Sequence, residues 1–294
     1  MYPERDLPNG EVIFFGGGEK MSAIERWRTM IQAEHAQSDE MRPAPAPADH
    51  WRPYARQFGA DPRRKDDEFL NRLLKEISPS QTLIDVGAGG GRLALPIALH
   101  CRHVTAVEPS AAMGEVLSGL AGEHGIDNIS LVRSRWDEAT VEPADQTLCV
   151  HVLYTIQDIG GFVQKLQDHA TGQAMVVLYE APPQSQNYPL WQKVHGTPRL
   201  PLPSAPEFRE VLQELGIDAQ EEPFPAQPAR GFDGLEQAMD QLCQRLYLGE
   251  GEPKRDLLSN MLPQELEESG GVFRIRGAVP LQPWLIRWRG SAPS

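Results

Sequence analysis

From Thr82 onward the chain alternates short apolar runs with amphipathic ones. The apolar, β-branched segments at 82–86, 103–107, 129–132, 147–152 and 174–180 have the length of strands buried on both faces, and the segments at 92–99, 110–120 and 160–168 carry apolar residues at helical spacing. That alternation, with short connections, predicts a doubly wound α/β domain with a mostly parallel sheet and helices on both faces. Pro96 should keep the first of these helices short or bent. Upstream, Ser22 followed by Glu25 reads as a capping box for a helix with Ile24, Trp27, Met30, Ile31 and His35 on one face. That one-sided face must be buried, and a homodimer surface is one way to bury it. A Pro-Ala repeat at 43–47 ends the segment. Downstream, 208–217 reads as an amphipathic helix stopped by a glycine, 231–270 as one or two further helices, and 272–276 and 284–288 as strands. The proline-dense stretch 182–206 shows no strand and reads as an inserted lid carrying substrate contacts. The expected division is an N-terminal tail and helical cap over 1–78, and an α/β domain over 79–294 with insertions at 182–206 and 231–270.

The first strand runs directly into Gly87, Ala88, Gly89, Gly90 and Gly91, where a tight strand-to-helix turn needs positive φ and close backbone approach. The second strand ends in Glu108, which places a carboxylate where it can accept both hydroxyls of a ribose. A nucleoside-bearing ligand is therefore expected across these two strand ends. The register decides which one. A dinucleotide fingerprint, Gly-x-Gly-x-x-Gly, would place its third glycine at 92, where this chain has Arg92.

The run Ile84-Asp85-Val86-Gly87-Ala88-Gly89-Gly90-Gly91-Arg92, followed by Val107-Glu108-Pro109-Ser110 and Met113, resembles the motifs of class I S-adenosylmethionine-dependent methyltransferases, over about residues 51–180. The resemblance implies a seven-stranded Rossmann-like sheet with a strand near 220–224 and an antiparallel edge strand at 284–288. It implies S-adenosylmethionine as methyl donor and S-adenosylhomocysteine as product. Asp85 and the backbone of Gly87, Ala88, Gly89 and Gly91 would fix the amino-acid end, Glu108 the ribose, and Pro109, Ser110 and Met113 the adenine. Where the family has an acidic residue for the adenine amino group, this chain has Ser134-Arg135-Trp136, and arginine cannot accept that N–H. Three substitutes stay open: Arg135 stacking on the ring, Trp136 covering it and offering its backbone N–H, or Asp137. Residues 49–77 resemble the helices such enzymes lay over the cofactor; Trp51 and Tyr54 either close over the methionine end or are plain core aromatics.

Methyl transfer from a sulfonium is an in-line displacement that needs chiefly positioning and water exclusion. A base is required only for a protonated acceptor. His151 and Tyr154 stand at the fourth strand end; His151 reads either as that base or as a backbone-bonded histidine beside the cofactor carboxylate. His195 in the lid and Glu180 at the fifth strand end are further candidates. The alternatives are a protein that binds the nucleoside without catalysis and a nicotinamide-dependent oxidoreductase, the latter disfavoured by Arg92.

Charge narrows the acceptor. With 28 basic against 41 acidic residues the net charge is −13, which disfavours nucleic acid and favours a small-molecule acceptor. The one basic run, Arg63-Arg64-Lys65, reads as a solvated helix start. Cys101, Cys149 and Cys243 are dispersed, which fits buried thiols in a reducing compartment and no metal site, the cluster around His100 included. No signal peptide and no apolar run of membrane-spanning length is evident, so a cytoplasmic protein without a membrane partner is expected.

Overall fold

The computed structural model describes residues 21–43, 49, 51–52, 55–227 and 231–293. The strands are β1 (Thr82–Val86), β2 (His103–Val107), β3 (Ile129–Val132), β4 (Ala144–Val150), β5 (Ala170–Tyr179), β6 (Gln220–Pro223), β7 (Leu266–Ser269), β8 (Val272–Ile275) and β9 (Pro283–Arg289). Seven form one sheet in the order β3-β2-β1-β4-β5-β9-β6, and β7 and β8 form a separate hairpin. Neighbours among β1 to β5 pair in parallel, while β9 runs antiparallel between β5 and β6. The expected edge strand at 284–288 is thus the penultimate strand. Its residues Leu285, Ile286 and Trp288 are apolar enough to be buried on both faces, whereas Gln-Glu-Glu-Pro of β6 can only stand at the margin.

The helices are α1 (Ala23–Met41), α2 (Glu68–Leu73), α3 (Ala94–Ala98), α4 (Ala111–His124), α5 (Ile159–Asp168), α6 (Tyr188–His195), α7 (Ala205–Glu214), α8 (Leu235–Arg245) and α9 (Pro253–Glu265). Two cores flank the sheet. One holds Ile84, Val86, Val176 and Leu178 against α1, α5 and α7; the other holds Leu83, Leu95, Leu148 and Met175 against α2, α3 and α4. A third core joins α6, α8, α9 and the β7–β8 hairpin around Leu190, Trp191, Phe232 and Leu242. The proline-dense stretch is therefore a 3₁₀ turn (Pro183–Asn187) followed by α6, packed into this unit, and not an open lid. Prolines at helix starts remove donors that have no partner there anyway, which is why their density hid the helix.

The capping box at Ser22 and Glu25 is present, and Trp27 and Ile31 are fully buried. Their partners belong to the same chain: the Trp27 indole N–H donates to Ile156 O at 2.8 Å, and its ring meets Phe208 edge-on. Ala23 N–H bonds the Glu214 carboxylate and Arg26 pairs with Glu210. The buried part of this face, Trp27 and Ile31, is thus covered by other elements of the same chain. The residues of 1–20, the Pro-Ala repeat beyond Pro43, and Tyr54 lie outside the described residues. Arg64 of the basic run bonds Asp67 and Arg92 O, so it ties α2 to the glycine loop instead of standing in solvent. Among the described residues no helix is long and apolar enough to cross a membrane.

Because α1 docks through a fully buried indole, Trp27→Ala should cost about 3–5 kcal/mol of stability, the range for deleting a buried aromatic. Chemical denaturation reads this directly; a loss below about 1 kcal/mol would mean that α1 is peripheral to the fold.

Candidate active site

The turn after β1 is built by contacts that only glycine satisfies. Gly87 has φ +77° and a Cβ there would lie 2.4 Å from Val152 Cγ2; Gly91 has φ +84° and would press on Leu95. Gly87 and Ala88 N–H both donate to Val107 O, at 2.8 and 3.2 Å, so the loop is tied back to β2. Gly90 faces the carbonyl of Phe58, in the 3₁₀ turn Ala55–Phe58, so the N-terminal segment passes directly over the loop. Gly89 differs: φ is +55°, but a Cβ would meet nothing within 4 Å. At Gly89 the loop therefore borders open space.

Glu108 closes the other side. Its two carboxylate oxygens accept from Gly89 N–H and Ser110 N–H, both at 2.8 Å, and the residue is 5% exposed. Burial raises its pKa despite these two bonds. Each oxygen keeps a lone pair for a further donor. Ser110 caps α4, its Oγ accepting from Met113 N–H and donating to Asp49 Oδ1 at 2.9 Å. Met113 packs with Ala55 and Ala112 beneath the N-terminal segment, and Pro109 is exposed. Asp85, at the end of β1, is 3% exposed and its carboxylate accepts no hydrogen bond among the described residues. Burial, with the neighbouring Glu108 carboxylate, pushes its pKa up to about 7 against a weaker pull from Arg92.

At the end of β4 the chain turns sharply at His151, a non-glycine residue with φ +59°. Its ring stacks on Tyr179, centroids 3.9 Å apart and 14° from parallel, and its Nδ1 lies 3.3 Å from Tyr154 OH. Tyr154 OH also accepts from Tyr179 N–H at 2.9 Å, and Tyr179 OH donates to Gln227 at 2.7 Å. His151 Nε2 is buried without a partner. Burial, assisted by Arg92, pushes the imidazole down to about 3, and burial lifts the Tyr154 phenol well above its ordinary value. Phe69 lies beside the His151 ring, centroids 6.2 Å apart, and Arg92 lies 5.7 Å over Phe69 with Asp67 as its ion-pair partner. Tyr179 and Phe69, which pack against His151, carry no signal of that contact in the sequence. Arg92, the residue that breaks the dinucleotide register and ends the glycine motif, is a long cation at the head of a strand-end loop. A cleft of about 370 Å³ lined by Phe69 and Gln227 opens between Asp67 and Pro225.

Other predicted residues lie elsewhere. His195 stacks on Trp191, bonds Leu246 O through Nε2 at 2.9 Å and faces Lys254 Nζ through Nδ1 at 3.2 Å. Both nitrogens serve the helical unit, so the imidazole has none to offer as a base. Glu180 pairs with Arg209 at 3.0 Å. Arg135 is exposed and paired with Asp137 at 3.1 Å, so these two open substitutes hold each other. The Trp136 indole is buried against Phe162 and His169 with Lys165 over its ring; its side chain belongs to the core beside α5, not to a ring-covering wall. Trp51 is largely exposed and meets Phe58 edge-on.

Against known proteins, a model described as a methyltransferase domain matches residues 54–222. The chain belongs to the S-adenosylmethionine-dependent methyltransferases. The methyltransferase is 24% identical over 152 residues to a ubiquinone biosynthesis O-methyltransferase of Rickettsia canadensis, covering 47% of this chain and 63% of that protein. It is 36% identical over 61 residues to a ribosomal RNA small subunit methyltransferase A of Thermobifida fusca, covering 20% and 21%. The chain thus spans less than two thirds of the length of the curated relatives it matches. The fold is that of the YcgJ protein from Bacillus subtilis, with a TM-score of 0.51 at 16% identity over 76% of this methyltransferase and 98% of that chain.

A methyltransferase cofactor carries cationic groups and ribose hydroxyls, and the two strand ends fit both. The open face at Gly89, the spare lone pairs of Glu108 and the unpaired Asp85 carboxyl are the complementary features.

Asp85 has a cost that pH reveals. A carboxyl whose folded-state pKa exceeds its unfolded value favours folding while protonated, and that contribution is lost as pH rises from about 4 to about 7. Asp85→Asn should therefore raise Tm at pH 8 by about 3 °C or more, and by less at pH 5. Equal melting temperatures at pH 8 would overturn this. For His151, the ring resonances should show no titration between pH 5 and 8 by NMR; a midpoint near 6.5 would contradict its burial.

Proposed function

We propose that this methyltransferase moves a methyl group onto a small-molecule acceptor, with Glu108 holding the ribose hydroxyls, Asp85 the cationic end of the donor, and the Gly87–Gly91 loop lying along it. The observation that carries the reading is the Glu108 carboxylate, fixed by two backbone N–H groups at 2.8 Å beside a glycine with open space above it. When bound, the cofactor supplies a methyl whose leaving group is already activated by positive charge. The chain's own work is then orientation and exclusion of water.

His151, Tyr179, Phe69 and Tyr154 form the wall that faces the transferred methyl in this reading. With its pKa near 3, His151 stays neutral and is a weak proton acceptor; it serves as a fixed dipole and a stacking surface. The acceptor atom is accordingly one that reaches the site with its lone pair free. Met113, Ser110 and Pro109 wall the adenine. The adenine's amino group is left to backbone acceptors, since Arg135 and Asp137 hold each other and Trp136 is turned inward.

A small acceptor is supported by the net charge of −13 and by the ubiquinone-type relatives, which match more of the chain than the ribosomal RNA relative does. Three buried cysteines without disulfides fit a reducing, cytoplasmic setting.

Calorimetric titration with S-adenosylmethionine and S-adenosylhomocysteine tests the assignment. Both should bind, and Glu108→Ala should weaken binding about tenfold to a hundredfold. Because a cationic donor favours ionised Asp85, affinity for S-adenosylmethionine should rise about tenfold from pH 6 to pH 8 and level off above. No heat at millimolar ligand, or a Glu108→Ala protein that binds like the parent, would sink the site assignment.

A further inference from the structure

The 3₁₀ turn Leu153–Thr155 brings Tyr154 back beside His151, the two rings 16° from parallel. Tyr154 is 6% exposed, and its hydroxyl meets two groups, Tyr179 N–H at 2.9 Å and His151 Nδ1 at 3.3 Å. A backbone N–H can only donate, so the phenol oxygen accepts there. The contact with Nδ1 admits two arrangements. If the imidazole hydrogen sits on Nδ1, it donates to the phenol oxygen. The phenol hydrogen then has no acceptor among the described residues, and Nε2 is a bare, buried acceptor: two groups are left unmet. If the hydrogen sits on Nε2, the phenol donates to Nδ1 and only the Nε2–H is left. Unmet buried polar groups are costly, so the second arrangement is favoured by one group. The partner of one ring nitrogen thus sets what the other offers.

The ring is held where it stands. It stacks on Tyr179 with 3.9 Å between centroids, and the His151 backbone N–H donates to Val177 O at 2.9 Å. A φ of +59° at a non-glycine residue persists only where the surroundings enforce it, and such residues cluster at functional sites. His151 also adjoins the glycine loop: its neighbour Val152 supplies the Cγ2 that a Cβ on Gly87 would strike.

What the Nε2–H can hold follows from where protons reside. Burial keeps the imidazole neutral and the Tyr154 phenol protonated, so neither ring takes up a proton near neutral pH. The charge that acts on the imidazole is the positive one of Arg92. A neutral hydroxyl must lose a proton to attack, and neither ring receives it. An amine has one lone pair, which an N–H donor engages and so withholds from attack. An ionised oxygen has lone pairs for both the N–H and the methyl carbon, and hydrogen bonds to a charged acceptor are the stronger ones.

We propose that Tyr154 is a positioning residue that holds His151 as its Nε2–H tautomer, and that this N–H binds the ionised oxygen of the methyl acceptor, a carboxylate or an acidic phenol. One oxygen lone pair stays on the N–H while another forms the O–C bond. The S–C electron pair goes to the donor's sulfur, so the oxygen's negative charge and the sulfur's positive charge both disappear, and no proton leaves the site. The tautomer stands on the hydrogen bonds alone; the acceptor class rests on the methyl-transfer reading.

Long-range proton–nitrogen NMR on the full chain reads the tautomer, with the His151 signals identified by their absence in His151→Phe. His151 should carry its hydrogen on Nε2 from pH 6 to pH 8, and in Tyr154→Phe the hydrogen should divide between the two nitrogens. Hydrogen on Nδ1 in the parent would overturn the proposal, whether or not Tyr154→Phe folds. For the acceptor, protein saturated with S-adenosylhomocysteine is titrated at pH 8 with benzoate and 4-nitrophenolate, and with benzyl alcohol and aniline as the neutral oxygen and nitrogen counterparts. At least one anion should shift the His151 Nε2–H signal saturably and bind at least about tenfold more tightly than either neutral probe. His151→Phe should weaken that binding about tenfold, as loss of a charge-assisted hydrogen bond implies. Failure of both anions to bind, a neutral probe binding as well, or unchanged affinity in His151→Phe would overturn the acceptor assignment. So would a His151→Phe protein that loses affinity for S-adenosylhomocysteine but keeps it for 5′-methylthioadenosine, which lacks the amino-acid end, since His151 would then serve the donor's carboxylate. A parent that binds no S-adenosylhomocysteine would instead sink the donor site and the acceptor assignment with it, while the tautomer is decided by its own spectrum.

Discussion

Two carboxylates placed side by side in a buried strand end are the constraint around which this molecule is arranged. Glu108 is held by the backbone of the glycine loop on one side and of the α4 N-terminus on the other, so one side chain fixes β1, β2 and α4 relative to one another. Asp85 sits beside it without a hydrogen bond and stays protonated up to about neutral pH. A fold seeking stability alone would not bury a second acid there. Perturbed carboxyls of this kind, buried at a strand end, are characteristic of functional sites. The glycine loop, the Phe58 carbonyl pressed against it and the Asp49–Ser110 bond all serve to hold this pair in register.

The parallel sheet was legible because its strands are short, apolar and separated by helical periodicity. Leu83, Ile84 and Val86 could only be buried, and Gly87 could only turn. Glu108 stands out in the sequence as a lone acid after an apolar strand, and the structure buries it between two backbone N–H groups. What escaped was tertiary in origin. The place of β9 depends on which strand pairs with which, and nothing local to Trp284–Trp288 says that β6 will lie outside it. The directions of the His195 and Trp136 side chains were not legible, because residue type and approximate position do not show which way a side chain turns. His195 went to the carbonyl of Leu246, and Trp136 to the face of α5. The helix α6 was hidden by prolines that sit at its start, where they do no harm.

The N-terminal helix links the parts. Its first turns are anchored to α7 and to Ile156, and its last turns, through Glu34 and Ser38, reach Arg199. The helix α1 therefore ties α7 and the turn after β4 to the helical unit.

The position of β9 has a consequence for how the molecule is made. β6 leaves the ribosome well before the strand that gives it a place, because the span from Pro223 to Pro283 includes α8, α9 and the β7–β8 hairpin. Until that span has been synthesised, β5 presents an open edge of Ala174, Val176 and Leu178, and β6 has no sheet to join. The nascent chain thus passes through a stage with one side of its sheet unfinished, when a holdase, or the helical unit itself folding first, must shield that edge from other chains.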